Sequence, residues 1–381
     1  MDQVSIMKCD DYEPEQVYKA LTTSLSLLGD SSQFIRPGMR VLLKCNLLMR
    51  KKPEEAATTH PEIVAAVARW VKTAGGIPVI ADSPGGLYTE RALRGVYRAC
   101  GMEFVATRDD IELNYNVEEV EVSHHEGKTI KSHTVTKVVE EADAIINIAK
   151  LKTHGMTLYT GAVKNLFGVI PGTTKAEYHL RMKKLEDFSD MLVDISSYVK
   201  PNLSIMDAVV GMEGQGPSAG EPRKIGAILA SASPYALDVV SASLVGIPLD
   251  RICTIQRANE RGLCSDLNNV ELLGDCLEEL KIHDFKIPFH KKVGFIEQYF
   301  GGDSTISQFI NNKFGPRPVF HYEGCIGCRD CERNCPPKAI TMVEGKPVVD
   351  MKECIRCYCC QELCPQETIE IKRSWLFQTF K

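Results

Sequence analysis

Short runs of hydrophobic residues alternate with helical patterns along most of the chain. The runs that predict buried strands are 4–7, 41–43, 78–81, 144–148, 203–206 and 225–230. Between two of these runs, Ile63, Val67 and Trp70 recur at the spacing of a helix that buries one face. Strands that alternate with helices predict an α/β fold with a mostly parallel sheet and helices on both of its faces.

Two segments depart from this alternation. Alternating residues over 116–136 predict an inserted hairpin, and apolar residues near helical spacing over 296–314 precede a Gly-Pro-Arg-Pro linker. The predicted organisation is an α/β domain over 1–290, a helical segment and linker over 291–318, a small cysteine-rich α+β domain over 319–372 and a tail over 373–381.

Composition and charge exclude several classes of protein. Apolar residues make up 44% and charged residues 25% of the 381 residues, so the chain is not disordered. The sequence has no apolar stretch long enough to span a bilayer, and its N-terminus lacks the basic start and apolar run of a secretory signal. A net charge of −5 argues against binding nucleic acid through the overall field. We therefore expect a cytoplasmic protein that binds neither membranes nor nucleic acid.

Nine of the fifteen cysteines lie between Cys325 and Cys364. Eight of these nine form two copies of the run C-x-x-C-x-x-C-x-x-x-C-P. In a reducing cytosol such spacing indicates metal ligation rather than disulfide bonds. A zinc ribbon is the alternative, but zinc sites use one or two spaced pairs and not a doubled run of four cysteines. The repeat therefore predicts two [4Fe-4S] clusters.

The fourth ligand of each cluster is expected to come from the other half of the repeat. Three closely spaced cysteines wrap one side of a cubane, and the distant cysteine of each run completes the other set. The predicted sets are Cys325, Cys328, Cys331 and Cys364 for one cluster, and Cys354, Cys357, Cys360 and Cys335 for the other. Cys359 is expected to be a spare thiol near a cluster. The segment 322–372 resembles the bacterial two-cluster ferredoxin fold, and its nearly neutral formal charge favours docking on the N-terminal domain.

Polar side chains follow four of the predicted strands, where each strand ends. Ligands of an open parallel sheet bind outside the carboxyl ends of its strands, so these residues are candidates for one site. They are Lys44 and Asn46, then Lys150, Lys152 and His154, then Lys164 and Asn165 on a predicted helix over 157–168, then Asp207, and Glu213 in a predicted loop over 211–217. Cations and free backbone amides favour an anionic ligand. The alternative is that strand-end lysines simply mark where the chain leaves the core.

Three segments, 150–154, 160–168 and 207–214, resemble the domain-of-unknown-function family 362, which is often fused to a two-cluster ferredoxin. The resemblance covers the whole chain, and it implies an uncharacterised iron-sulfur protein with no generally assigned reaction. The chain has neither a dinucleotide fingerprint nor a phosphate-binding loop sequence, so we predict no nicotinamide or nucleoside triphosphate site.

The leading functional hypothesis is an iron-sulfur oxidoreductase that passes single electrons to a small anionic substrate or an unseen cofactor. Lys44, Lys150, Lys152 and Lys164 would hold that ligand, and His154, Asp207 or Glu213 would move protons. The alternatives are a non-catalytic electron-transfer protein and a reductive activator of a partner metalloenzyme, and all three need a redox partner protein. An enclosed polar crevice near a cluster favours the enzyme, whereas an exposed apolar patch beside the clusters favours the partner protein.

Overall fold

A mixed sheet of nine strands organises the part of the chain before residue 288. The computed structural model describes residues 1–172, 174–182, 184–264, 266–288 and 317–372. The strands are β1 (Asp2–Lys8), β2 (Arg40–Lys44), β3 (Ile77–Ala81), β4 (Glu112–Leu113), β5 (Glu119–Ser123), β6 (Ser132–Thr136), β7 (Ala144–His154), β8 (Leu158–Thr160), β9 (Leu203–Glu213), β10 (Glu221–Ser231), β11 (Val270–Gly274), β12 (Arg317–Phe320), β13 (Ile340–Val343), β14 (Lys346–Val349) and β15 (Ile369–Lys372). The α-helices are α1 (Pro14–Leu28), α2 (Pro61–Thr73), α3 (Glu90–Ala99), α4 (Met102–Arg108), α5 (Lys137–Glu140), α6 (Ala162–Asn165), α7 (Thr174–Arg181), α8 (Leu185–Val199), α9 (Pro234–Leu244), α10 (Cys253–Glu260), α11 (Leu277–Leu280), α12 (Asp330–Arg333) and α13 (Cys359–Glu362).

The sheet is mostly parallel, as the sequence predicts. Its order is β11-β1-β10-β9-β7-β2-β3-β4, and β8 pairs with β7 off this path. The strands from β9 to β4 are parallel to one another, and β11 is parallel to β1. β10 is antiparallel to both of its neighbours, so the sixth predicted strand is present with the opposite direction.

Hydrophobic cores lie on both faces of the sheet. Along β2, Val41 and Leu43 belong to one buried cluster and Leu42 to the other, because successive strand residues point to opposite faces. Helices α1 to α4 contribute to the first cluster, and α8 to α10 contribute to the second. The α/β class with helices on both faces is therefore confirmed.

The region after β7 differs from the prediction. The helix predicted over 157–168 is instead the strand β8, the helix α6 and a 3-10 turn over Leu166–Val169. β8 folds back on β7 as a hairpin, and the carboxylate of Asp238 accepts hydrogen bonds from the amides of Ala162 and Val163 at 2.5 and 3.0 Å. These bonds satisfy the first amides of α6, so the helix begins only there. The loop predicted over 211–217 also begins as the last three residues of β9.

The remaining predicted elements have mixed outcomes. The inserted hairpin is present as the antiparallel pair β5 and β6. The helical segment and linker predicted over 291–318 lie outside the described residues, except for the first two residues of β12. None of the described helices has the length and apolar character needed to cross a membrane.

The cysteine-rich domain shows the internal repeat in its backbone. It contains the antiparallel pairs β12–β15 and β13–β14. Arg329 precedes α12 with φ 65°, and Tyr358 precedes α13 with φ 64°. The two halves therefore place their cysteine runs with nearly the same local conformation.

Candidate functional site

The eight cysteines predicted as ligands surround two separate cavities. One cavity is lined by Cys325, Cys328, Cys331 and Cys364. The other is lined by Cys335, Cys354, Cys357 and Cys360. Each cavity thus has three cysteines from one run and the fourth from the other run.

Both cavities have the donors that a cubane requires. Four thiolates around one small space suit a [4Fe-4S] cluster, and the hydrophobic residues Ile340 and Ile369 pack with the buried cysteines. The residues present therefore fit two clusters.

Chemical analysis of the anaerobically purified protein is expected to find about eight iron atoms and about eight acid-labile sulfide ions per chain, because each cavity closes around one cube. Iron and sulfide assays with a visible spectrum test this expectation. Protein that binds zinc and forms no cubane spectrum after reconstitution under reducing conditions would contradict it.

A further cavity lies between the N-terminal domain and the cysteine-rich domain, and we call it the inter-domain cavity. Its volume is about 110 Å³, and it is lined by residues that follow β2 and β3, by α6 and α7, and by the cysteine-rich domain. The polar side chains that line it are those of Asn46, Asp82, Ser83, Lys164, Asn165, Lys175, His179, Asn334, Cys359 and Glu362. Polar groups from both domains therefore face one partly open space.

Specific contacts hold the two domains together around this cavity. Lys51 of the N-terminal domain forms ion pairs with Glu367 of the cysteine-rich domain and with its own neighbour Glu55. The side chain of Leu363 packs so closely on Gly85 that a Cβ at that glycine would lie 2.6 Å from Leu363 Cδ2. A larger residue at position 85 would therefore require the Leu363 side chain to shift.

Lys44, at the end of β2, is buried and has its own counter-ion. Its Nζ lies 2.7 Å from Asp82 Oδ1 and donates to the carbonyl of Cys45 at 2.5 Å. Asp82 Oδ2 accepts from the amide of Leu47 at 2.7 Å. The charge of Lys44 is therefore neutralised within the protein at the edge of the cavity.

Among the described residues, Lys152 forms hydrogen bonds with neutral groups only. Its Nζ donates to Asn46 Oδ1 at 2.7 Å and to the carbonyl of Ala57 at 2.6 Å. Asn46 in turn donates to Asn165 Oδ1 at 2.9 Å, which links Lys152 to the cavity wall. Burial, followed by the nearby charge of Lys164, lowers the pKa of Lys152 to about 7.

Lys150 and Asp207 form a buried ion pair away from the cavity. Lys150 Nζ lies 2.9 Å from Asp207 Oδ2, and both side chains are buried. Asp207 also accepts from the hydroxyl of Tyr12 and from the amide of His60, each at 2.9 Å. The Tyr12 and His60 rings stack with their centroids 3.6 Å apart. This network joins β7 and β9 to the segments that precede α1 and α2.

His154, the last residue of β7, faces the cysteine-rich domain. Its Nδ1 accepts hydrogen bonds from the amides of Met156 and Thr157 at 2.9 and 3.2 Å, so the proton of the neutral ring is on Nε2. Nε2 lies 3.1 Å from Glu362 Oε1. Burial and then the charge of Lys164 lower the pKa of His154 to about 4. The neutral imidazole therefore presents its N–H to a carboxylate of the other domain.

Glu213 lies apart from these groups. Its Oε2 accepts from the amide of Lys286 at 3.0 Å, and its Oε1 is 3.6 Å from the ammonium of the same lysine. The structure thus divides the predicted strand-end set. Asn46, Lys164 and Asn165 line the inter-domain cavity, Lys44, Lys152 and His154 contact residues that line it, and Lys150, Asp207 and Glu213 are elsewhere.

Three residues of this region are absent from the sequence prediction. Lys175 and His179 are four residues apart on α7, and Glu362 lies in the second cysteine run. Lys175 donates to the carbonyls of Ser83 and Ile170, both at 2.6 Å, and burial lowers its pKa to about 7. The i, i+4 spacing of Lys175 and His179 indicates that both lie on one face of a helix. Nothing in the sequence shows which residues of the two domains meet.

Comparisons with known proteins agree with this architecture. Residues 41–243 match the family described as a domain of unknown function, DUF362, and residues 317–365 match a 4Fe-4S dicluster domain. The thylakoid-associated protein sll1697 of Synechocystis sp. is 34% identical over 292 residues, which cover 75% of this chain and 87% of that protein. The lactate racemase apoprotein from Thermoanaerobacterium thermosaccharolyticum gives a TM-score of 0.41 at 12% identity over 64% of this chain and 57% of that chain.

Proposed function

Since the chain belongs to the DUF362 family and carries a 4Fe-4S dicluster domain suited to electron transfer, we propose that it is an iron-sulfur oxidoreductase that passes single electrons from two [4Fe-4S] clusters to a small anionic substrate in the inter-domain cavity. The observation that carries the proposal is the composition of the cavity wall. Asn334, Cys359 and Leu363 line the cavity, and each is next in sequence to a predicted cluster ligand, namely Cys335, Cys360 and Cys364.

Charge in the cavity supports an anionic substrate. Within the described part of the chain, the ammonium group of Lys164 has no ion-pair or hydrogen-bond partner, and it lies 6.0 Å from the centroid of the Phe167 ring. Lys164 is partly exposed, and desolvation lowers its pKa although the nearby carboxylate of Glu362 acts in the opposite direction. An anion bound beside it would stabilise the charged form.

The other groups have supporting roles in this proposal. Asn46 and Asn165 form part of the polar wall of the cavity, and Lys44 and Lys152 support that wall from behind. His154 moves protons through its Nε2 atom, which faces the carboxylate of Glu362. Lys150, Asp207 and Glu213 have no part in this proposal, because they and their partners lie outside the cavity wall. The clusters, when bound, supply the electrons one at a time.

A non-catalytic electron-transfer protein, or a reductive activator of a partner metalloenzyme, is the second candidate. Ile326 lies between Cys325 and Cys328 and is 65% exposed, and the apolar side chains of Tyr322 and Val348 in the same domain are also exposed. Exposed apolar residues beside a cluster favour a docking partner. In the oxidoreductase, the same residues would receive a redox partner protein that supplies the electrons.

Single-turnover oxidation of the reduced clusters tests the proposal. We expect small anions to reoxidise the dithionite-reduced protein, and we expect Lys164→Gln to slow this step by about 10- to 100-fold, the value of one charge-assisted hydrogen bond. The cluster absorbance near its visible maximum gives the rate, and iron content verifies that the variant is loaded.

The matched control is Lys19→Gln, which removes an exposed lysine of α1. Its rate should equal that of the wild type. Equal slowing in both variants would argue for a general charge effect, and clusters that only a protein partner reoxidises would favour the second candidate.

A further inference from the structure

We infer that the inter-domain cavity binds a small monocarboxylic acid, with its carboxylate at Lys164 and its carbon chain against Phe167. This inference rests on the proposed function and narrows its substrate to one chemical class. It is carried by the size of the cavity, the balance of charge in its wall and the position of two polar groups without partners.

The volume suits a small ligand. At about 30 Å³ per water in the liquid, a cavity of about 110 Å³ holds about four waters. A short carboxylic acid is of this size, and a larger ligand would have to extend out of the cavity, which is partly open. A small molecule is therefore favoured over the unseen cofactor considered from the sequence.

The charges of the wall favour a single negative charge on the ligand. Asp82 is neutralised by Lys44, which leaves the ammonium groups of Lys164 and Lys175 against the carboxylate of Glu362. With all three groups ionised the balance is one positive charge, and because the pKa of Lys175 is lowered to about 7, this is the upper limit near neutral pH. A monoanion compensates that charge, and a dianion leaves an excess negative charge.

Apolar and unpartnered groups favour a carboxylic acid over an inorganic anion. The cavity is also lined by the apolar side chains of Leu48, Phe167 and Leu363, which suit a short carbon chain. His179 is 6% exposed, and its Nδ1 has no hydrogen-bond partner among the described residues. The ring centroid of His179 lies 6.2 Å from that of Phe167, and the ammonium of Lys164 lies 6.0 Å from the same Phe167 centroid. A ligand on Phe167 therefore has both groups within reach.

Calorimetric titration of the anaerobic, oxidised holoprotein tests the inference without requiring turnover. The probes are butyrate, succinate and inorganic phosphate. We expect butyrate to bind at least about tenfold more tightly than succinate or phosphate, and we expect Lys164→Gln to weaken butyrate binding by about 10- to 100-fold. His179→Asn should weaken it several-fold through loss of one neutral hydrogen bond.

Two further variants keep the test decisive. Lys164→Arg retains the charge and should retain butyrate binding. Lys19→Gln should bind butyrate as the wild type does. Tighter binding of succinate or phosphate would overturn the monocarboxylic acid and leave the proposed anionic substrate standing. If none of the three anions bound, or if Lys164→Gln bound butyrate normally, both the inference and the anion site of the proposed function would fail.

Discussion

The variant Cys335→Ala is expected to lose the cluster whose other ligands are Cys354, Cys357 and Cys360, although Cys335 belongs to the other cysteine run. These four cysteines line one cavity, so removal of Cys335 leaves three thiolates for that cube. Iron should fall from about eight to about four atoms per chain, because the second set of ligands is intact. Paramagnetic resonance of the reduced protein, together with iron analysis, measures which cluster remains.

The reciprocal variant and a control make the result specific. Cys364→Ala should lose the cluster of Cys325, Cys328 and Cys331. Cys359→Ala should retain both clusters, because Cys359 lines the inter-domain cavity and neither of the four-cysteine cavities. If Cys335→Ala instead eliminated the signal of its own run, the crossed arrangement of ligands would be incorrect.

Replacement of Asp207 by alanine is expected to have the largest effect on stability. The carboxylate has 0% exposure and accepts hydrogen bonds from Lys150, Tyr12 and the backbone of His60. Its removal leaves the Lys150 ammonium buried without a counter-ion, which should lower the free energy of unfolding by about 3–5 kcal/mol. Denaturant titration followed by circular dichroism under anaerobic conditions measures the change.

An exposed ion pair provides the comparison. Glu15→Ala removes the partner of Arg69 at the surface and should cost less than about 1 kcal/mol. The double variant Lys150→Met with Asp207→Leu should recover only part of the lost stability, because it removes the uncompensated ammonium but leaves the Tyr12 hydroxyl and the His60 amide without their acceptor. A loss for Asp207→Ala no greater than that for Glu15→Ala would show that Lys150 does not depend on this carboxylate.

The sequence is informative where function depends on local spacing. Ligand spacing in the cysteine runs predicts both four-cysteine sets, because a cube requires thiolates at short and regular intervals. Period and apolar runs similarly predict the sheet, although β7 continues through Lys150 and Lys152 to His154, beyond the strand predicted over 144–148. The antiparallel direction of β10 and the hairpin at β8 depend on long-range pairing, which no local pattern contains.

The strand-end cations illustrate the same limit at the site. The sequence predicts one shared anion site, but two of these lysines have separate carboxylates in the structure. Lys44 pairs with Asp82, and Lys150 pairs with Asp207. Burial makes an unpaired ammonium costly, so each lysine that has an internal carboxylate in reach is compensated by it. Only the folded chain shows that Lys164 remains without such a partner among the described residues, and that Lys175 and His179 join it.

Because both domains line the inter-domain cavity, replacement of the cysteine-rich domain would also alter the cavity. Asn334, Cys359, Glu362 and Leu363 form one side of the cavity, and Leu363 packs closely on Gly85. A chimera with an unrelated two-cluster domain would keep its electron carriers and still change the shape and charge of the cavity. If the cavity binds the proposed substrate, the domain that supplies the electrons also shapes the substrate site. A chimera that keeps the substrate site therefore has to retain these four side chains.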